Sequence, residues 1–216
     1  MNTFTCNRIL LSDPCGTRVR MAIAERGEVV EEILTSEPAM ESFAESASQI
    51  CSRCGIRITD IESFGIAQGP GSMLGVRIAS AYLSTIAKSF DRDIFVWDCL
   101  ETSIYALAEK YSLLDLECAA PSRKGFLNLA VLRGGRLVSE EEIEIEKAEE
   151  LFSPHTFALK QRPCPILEKL PAADISLAET LKVIKIKDIA LKSELPPDAK
   201  SLSKREYVKW KDQAHI

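Results

Sequence analysis

The residues of this chain that could do chemistry fall into five groups. Cys51 and Cys54 stand at C-x-x-C spacing, which can place two thiolates on one metal ion when two further ligands complete the set. The sequence offers no second pair and no His-x-His group, and the two cysteines fall late in a predicted amphipathic helix, so core cysteines are the favoured reading. Asp13 and Asp98 close two predicted strands, with Glu101 as a third carboxylate, a set that a two-metal nuclease would use. Aspartates at strand ends more often cap backbone N–H groups or form ion pairs, and that reading is preferred. Ser72, in GPGSMLG, lacks the G-x-S-x-G nucleophile elbow. The two histidines, His155 and His215, lie in a predicted loop and at the second-last position. The fifth group is the loop Gly69-Pro70-Gly71-Ser72 itself, which presents free N–H groups at a positive helix end, where an anion or a partner's backbone can sit.

That loop is positioned by a strand before it and a helix after it. Ser63 to Gln68 is a short apolar run bounded by turn residues, which suits a buried strand. Ser72 is a good N-cap for a helix over Met73 to Phe90. On a helical wheel Arg77, Ser80, Ser84 and Lys88 form one polar stripe, while Leu74, Ile78, Ala79, Ala81, Tyr82, Leu83, Ile86 and Phe90 fill the remainder. About two thirds of the circumference is thus apolar, when covering one face of a sheet needs an arc of only ~100°. A second surface is expected to cover the surplus, either within the domain or on another chain.

The remaining elements follow from periodicity. Asn7 to Ser12, Thr17 to Ala24 and Val29 to Leu34 read as a three-strand meander turned at Arg26-Gly27-Glu28. Ser36-Glu37-Pro38 reads as a helix entry, after which Met40, Phe43, Ala44, Ala47, Ile50, Cys51 and Cys54 keep one face up to Gly55. Ile94 to Trp97 is a further strand, so the order is three strands, helix, strand, helix, strand. This is the ribonuclease-H-like half of an actin-like (ASKHA) fold, an α/β mixed five-stranded sheet with flanking helices. Beyond Leu100 a helix to Tyr111 precedes strands over Leu116 to Ala120, Gly125 to Leu132 and Leu137 to Ile145, the last two joined by Gly134-Gly135. Seven glutamates between Glu140 and Glu150 read as a solvated strand edge and helix start, ahead of a cation site. From Leu151 on, prolines cut the chain into short pieces. The expected division is a first lobe over 1–98 and a reduced second lobe over 99–199.

Composition sets the class. The chain has 216 residues, 46% of them hydrophobic and 27% charged, as in ordinary soluble globular proteins. No targeting signal is visible, and no apolar run reaches the ~20 residues that span a bilayer, so no membrane partner is expected. Seven irregularly spaced cysteines argue against a disulfide framework and for reduced thiols in the cytoplasm. A formal net charge of −5 argues against this chain holding a polyanion by its own field.

The block GIAQGPGSMLGVRIASAYLSTIAKSF with the following IFVWDCLETSIYALAEKY resembles the TsaB (YeaZ-type) family, non-catalytic subunits of the bacterial machinery that makes threonylcarbamoyladenosine in tRNA. Gly69, Pro70, Gly71, Ser72, Gly75, Arg77 and Ile78 match that family's loop, and Leu100 and Glu101 its next turn. Met73, Leu74 and Ala79 depart from it. The likeness runs from about Leu34 to Lys110, with an echo at Tyr207-Val208-Lys209-Trp210. It implies an actin-like first lobe, a reduced second lobe and a tail, 200–216, returning to the first. It also implies a scaffold without catalytic residues, metal or cofactor of its own. ATP and a divalent metal would sit on its partners, a homologous catalytic subunit (TsaD-type) and an ATPase subunit (TsaE-type), with tRNA engaged indirectly. Pairing would run through the two helices over Ser36–Cys54 and Met73–Phe90, with Met40, Phe43, Ala47, Ile50, Ile78, Ala81 and Tyr82 at the interface, and a homodimer when the partner is absent. The catalytic relative's His-x-x-x-His pair corresponds here to Cys99 and Ser103, which breaks the chelate. Asp13-Pro-Cys-Gly-Thr17 stands where actin-like and sugar-kinase-like folds bring an acidic residue near nucleotide phosphate. A free-standing ATP-binding kinase or ATPase using Asp13 and the Gly69–Gly75 loop is therefore an alternative, and a protease-like hydrolase a third.

Overall fold

The computed structural model describes residues 7–35, 37–193 and 196–202. The chain opens with β1 (Arg8–Asp13), β2 (Arg20–Glu25) and β3 (Glu28–Leu34), an antiparallel meander. The β2–β3 turn is two residues long, and Arg26 and Gly27 both take left-handed φ, 52° and 82°, as the favoured hairpin turn demands. β2 begins at Arg20, later than the expected Thr17, because residues after Asp13 leave the sheet: Thr17 N–H donates to the Gln161 carbonyl at 2.8 Å. Next come α1 (Ala39–Arg53), β4 (Ser63–Ala67), α2 (Met73–Phe90) and β5 (Asp93–Trp97). Ser36, expected to cap α1, lies outside the described residues, and Pro38 holds the N-cap position without a side-chain hydrogen bond. The sheet order is β10-β5-β4-β1-β2-β3, where β10 (Leu191–Lys192) is a sixth, two-residue strand added to the expected five. β1, β4 and β5 run parallel, and the others antiparallel.

Period-two alternation divides this sheet's side chains between two layers. Leu10, Met21, Ile23, Phe64, Ile66, Ile94 and Val96 face α1 and α2. Ile9, Leu11, Ala22, Ala24, Ala67, Phe95 and Trp97 face the opposite way, toward α5 (Leu177–Lys187), which contributes Leu177, Leu181 and Ile184. β4 is buried along its whole length, which explains its uninterrupted apolar run. Gly65 is needed at its centre, because a Cβ there would lie 2.7 Å from Leu11 Cδ2 and 2.8 Å from the Trp97 ring.

The second sheet, in order β8-β7-β6-β9, is built from β6 (Leu116–Pro121), β7 (Phe126–Arg133), β8 (Arg136–Glu144) and β9 (Thr156–Ala158). α3 (Cys99–Tyr111) covers one of its faces through Leu100, Ile104 and Leu107, and α4 (Ile145–Leu151) lies on the other. Two differences from the sequence reading stand out. The proline-rich stretch after Leu151 still contains an eleven-residue helix, α5, and within the span expected to form the second lobe both α5 and β10 join the first sheet. The acidic segment does form an edge strand, but two of its glutamates turn inward: Glu142 accepts from Ser122 Oγ at 2.5 Å and pairs with Arg123 at 3.0 Å, and Glu140 pairs with Lys200.

Candidate functional site

β4 delivers the chain into the glycine loop at the junction of the two sheets. The Gly69–Pro70 peptide is cis, and Gly69 and Gly71 take φ of 124° and 155°. The spacing of the glycines is set by what presses on them. A Cβ on Gly71 would overlap the Cys15 carbonyl, one on Gly75 the Pro14 carbonyl, and one on Gly69 would sit 2.7 Å from the Lys200 carbonyl oxygen. Ser72 N–H donates to the Cys15 carbonyl at 2.7 Å, and its Oγ accepts from Gly75 N–H at 3.1 Å, so this serine caps α2. The Pro70 carbonyl accepts from Cys99 Sγ and Gln161 Nε2, both at 3.0 Å, and the Gly69 carbonyl from Cys99 N–H at 2.8 Å. Arg77, one turn into α2, is exposed.

The candidate acids and thiols around this loop are engaged in local hydrogen bonds, helix caps and ion pairs. Asp13 Oδ1 accepts from the Cys15 N–H at 2.9 Å, and loss of surrounding water raises its carboxyl above the usual range. Cys15 and Cys99 hydrogen-bond each other. That bond first and burial second raise the Cys15 thiol far up, while for Cys99 the same bond works downward against burial and leaves it at about 11. Neither is a thiolate near neutral pH. Asp98 Oδ1 caps α3 by accepting from the Leu100 and Glu101 N–H groups, both at 2.8 Å, and its Oδ2 lies 2.6 Å from Lys200 Nζ. Lys200 also reaches Glu140 at 3.0 Å. Burial, then the Asp98 charge, push the Glu140 carboxyl up to about 7 against the pull of Lys200.

The residues weighed for metal chemistry are therefore separated into different duties. Asp13 belongs to a turn and Asp98 to a helix cap; Ser103 is buried within α3. Cys51 is buried in α1 and Cys54 packs beside the same core. His155 lies in an exposed loop, and His215 lies outside the described residues. Among the described residues no three His, Cys, Asp or Glu side chains come together as a metal site. Gln161 and Lys200 are cleft residues that the sequence reading passed over, each arriving from a distant part of the chain with no local pattern to mark it, and Glu140, read as part of a solvated edge, turns in to Lys200.

The second candidate is the outer face of α1 and α2, and here the sequence expectation needs correcting. Phe43, Ala47 and Ile50 are at most 2% exposed and belong to the chain's own core, so they do not line an open surface. Tyr82 is half-buried and meets Phe43 edge-on with ring centroids 5.6 Å apart; Ile78 is half-buried in the same cluster. Much of α2's surplus apolar surface is thus covered by α1. The polar stripe is also displaced, because Ser80 and Ser84 are buried and the solvent-facing row runs through Arg77, Ala81, Thr85 and Lys88. What stays uncovered is Met40 on α1, 63% exposed, with Leu74, 56% exposed, Met73, Ala81 and Phe90 on α2.

The fold is the actin-like α/β class, a ribonuclease-H-like sheet with a reduced second sheet. Among solved structures the chain is similar to YeaZ from Pseudomonas aeruginosa, at 17% identity and a TM-score of 0.64, over 87% of this chain and 96% of that one. It is also similar to an uncharacterized protein resembling the peptidase YeaZ from Pseudomonas aeruginosa, at 15% identity and a TM-score of 0.66, over 90% of this chain and all of that one. No protein-family model and no curated protein matches the sequence. Among the described residues no helix is long and apolar enough to cross a membrane.

Proposed function

We propose that this chain is a YeaZ-type (TsaB) accessory subunit. It docks the outer face of α1 and α2 on a homologous catalytic (TsaD-type) subunit and supports threonylcarbamoyl transfer to the adenosine beside the anticodon in tRNA. A TsaE-type ATPase completes the assembly, and nucleotide and metal sit on the partners. The observation that carries this reading is the uncovered apolar set Met40, Leu74 and Ala81 on a two-helix face. Full burial of each large apolar side chain contributes ~1.5–3 kcal/mol, so two or three such residues weigh heavily in association. The YeaZ-like fold supports the reading, as do the loop residues Gly69 to Ser72, Gly75 and Arg77. So does the engagement of Ser72, Asp13 and Asp98 in caps and turns.

The test is reconstitution. The catalytic homologue and the ATPase subunit from the same genome are supplied with tRNA, ATP and a preformed activated threonylcarbamoyl donor, with and without this chain. Threonylcarbamoyladenosine, read by mass spectrometry of digested tRNA, is expected to form only when this chain is present. Equal formation without it, or formation by this chain alone, would contradict the accessory role.

A further inference from the structure

The net charge of −5 hides a local segregation of sign. Three cavities run into one another along the junction of the two sheets. The first, about 180 Å³, is lined by Arg18 and Lys160; it shares Gly16, Thr17 and Gln161 with the second, about 170 Å³, whose lining includes Arg162. The second shares Gly71, Ser72 and Arg162 with the third, about 560 Å³, which adds Arg123. The hydrogen bond from Thr17 N–H to the Gln161 carbonyl fastens the two basic segments side by side, so Arg18 flanks Lys160 and Arg162.

Arg18, Lys160 and Arg162 are all exposed, and among the described residues none of them has a hydrogen bond or an ion pair. Arg123 by contrast is held by Glu142 and lies over the Phe126 ring, and Lys200 is held by Asp98 and Glu140. The carboxylates lining this cleft, Asp13 and Glu142, already have partners. Among the described residues the cleft rim therefore carries three cations without a partner, beside the N–H end of the eighteen-residue α2. Among the described residues Trp97 is the aromatic side chain lining the cleft, and at 2% exposed it offers no stacking face to a base.

We propose that Arg18, Lys160 and Arg162 form a phosphate-binding rim that takes the RNA backbone without reading bases. The identity of the RNA as the tRNA substrate rests on the function proposed above. Cations strung along a cleft match phosphates repeated along a strand, and each backbone contact releases counterions, so the signature is a salt dependence that scales with the number of contacts.

The experiment measures fluorescence anisotropy of labelled unmodified tRNA with the full chain, alone and in complex with the catalytic homologue, from 50 to 200 mM salt. The variant carries Arg18→Glu, Lys160→Glu and Arg162→Glu, with its fold checked by circular dichroism. It is expected to lose at least about tenfold in affinity, and the slope of log affinity against log salt is expected to fall in magnitude by about 2–3, for three contacts at roughly 0.7–0.9 each. A nonspecific RNA of equal length should bind the isolated chain with similar affinity. An unchanged slope and affinity in the variant would overturn the proposal, as would ATP or tripolyphosphate displacing the tRNA at micromolar concentration. If the variant still joins the homologue but keeps its tRNA affinity, this rim alone is refuted; if wild type joins nothing, the function proposed above is.

Discussion

Glu140 shows how a single side chain in this chain responds to a long-range arrangement. It lies on an acidic edge strand, where its neighbours are solvated, yet it points inward to share Lys200 with Asp98. Its carboxyl stands at about 7 against an ordinary 4.5. Between those two pH values the folded chain holds a proton that the unfolded chain has released. The stability from that proton is therefore complete below the unfolded value and is lost as pH rises through the folded one. Glu140→Gln should flatten the fall in denaturation midpoint between pH 5 and 8. At pH 8 it should leave stability equal or raised by about 1 kcal/mol, roughly 2–4 °C for a chain of this size. A variant that keeps the wild-type slope, or loses several degrees at pH 8, would show that Glu140 is not the titrating group. The same dependence on distant residues explains what sequence could not show on α2. Ser80 and Ser84 read as a polar stripe, but Ser80 Oγ donates to the Pro197 carbonyl at 2.6 Å, 117 residues away, and Ser84 is buried beside it.

At the scale of elements, the stretch from β4 through the loop to α2 was legible because its signals are local. A buried apolar run, a glycine loop and an N-cap serine each act within a few residues, and the strand, turn and helix stand at those places. α5 was missed, although it carries a readable start: Ser176 and Glu179 form a reciprocal capping box, with Ser176 N–H donating to Glu179 Oε2 at 2.8 Å. The surrounding prolines masked it, and its Leu177, Leu181 and Ile184 stripe finds its partner only on the first sheet. The central element gives a sharp test of packing. Gly65→Ala places a methyl against Leu11 and Trp97, within 2.8 Å of both. It should lower stability by ~1–3 kcal/mol through overpacking, read from urea midpoints at constant slope. Gly55→Ala, where nothing lies within 4 Å but φ is +67°, separates backbone strain from crowding. If Gly65→Ala is neutral, the close stacking of Trp97 on β4 is wrong.

The whole molecule combines two sheets that close on a cleft with two helices that leave apolar residues outside. Its cleft carboxylates, thiols and serine are occupied in turns, helix caps and hydrogen bonds around the glycine loop. The face with Met40, Leu74 and Ala81 stands on the helices that pack against the first sheet, away from the layer that α5 covers. The central claim is that a catalytic relative covers this face. Light scattering after size exclusion on a mixture of this chain with the catalytic homologue from the same genome tests it most directly. The account predicts one particle containing both chains, and its loss when Leu74→Glu and Ala81→Glu are introduced together in a chain that keeps its circular dichroism. Separate elution of the wild-type chains, or co-elution of the variant as strong as wild type, would contradict it.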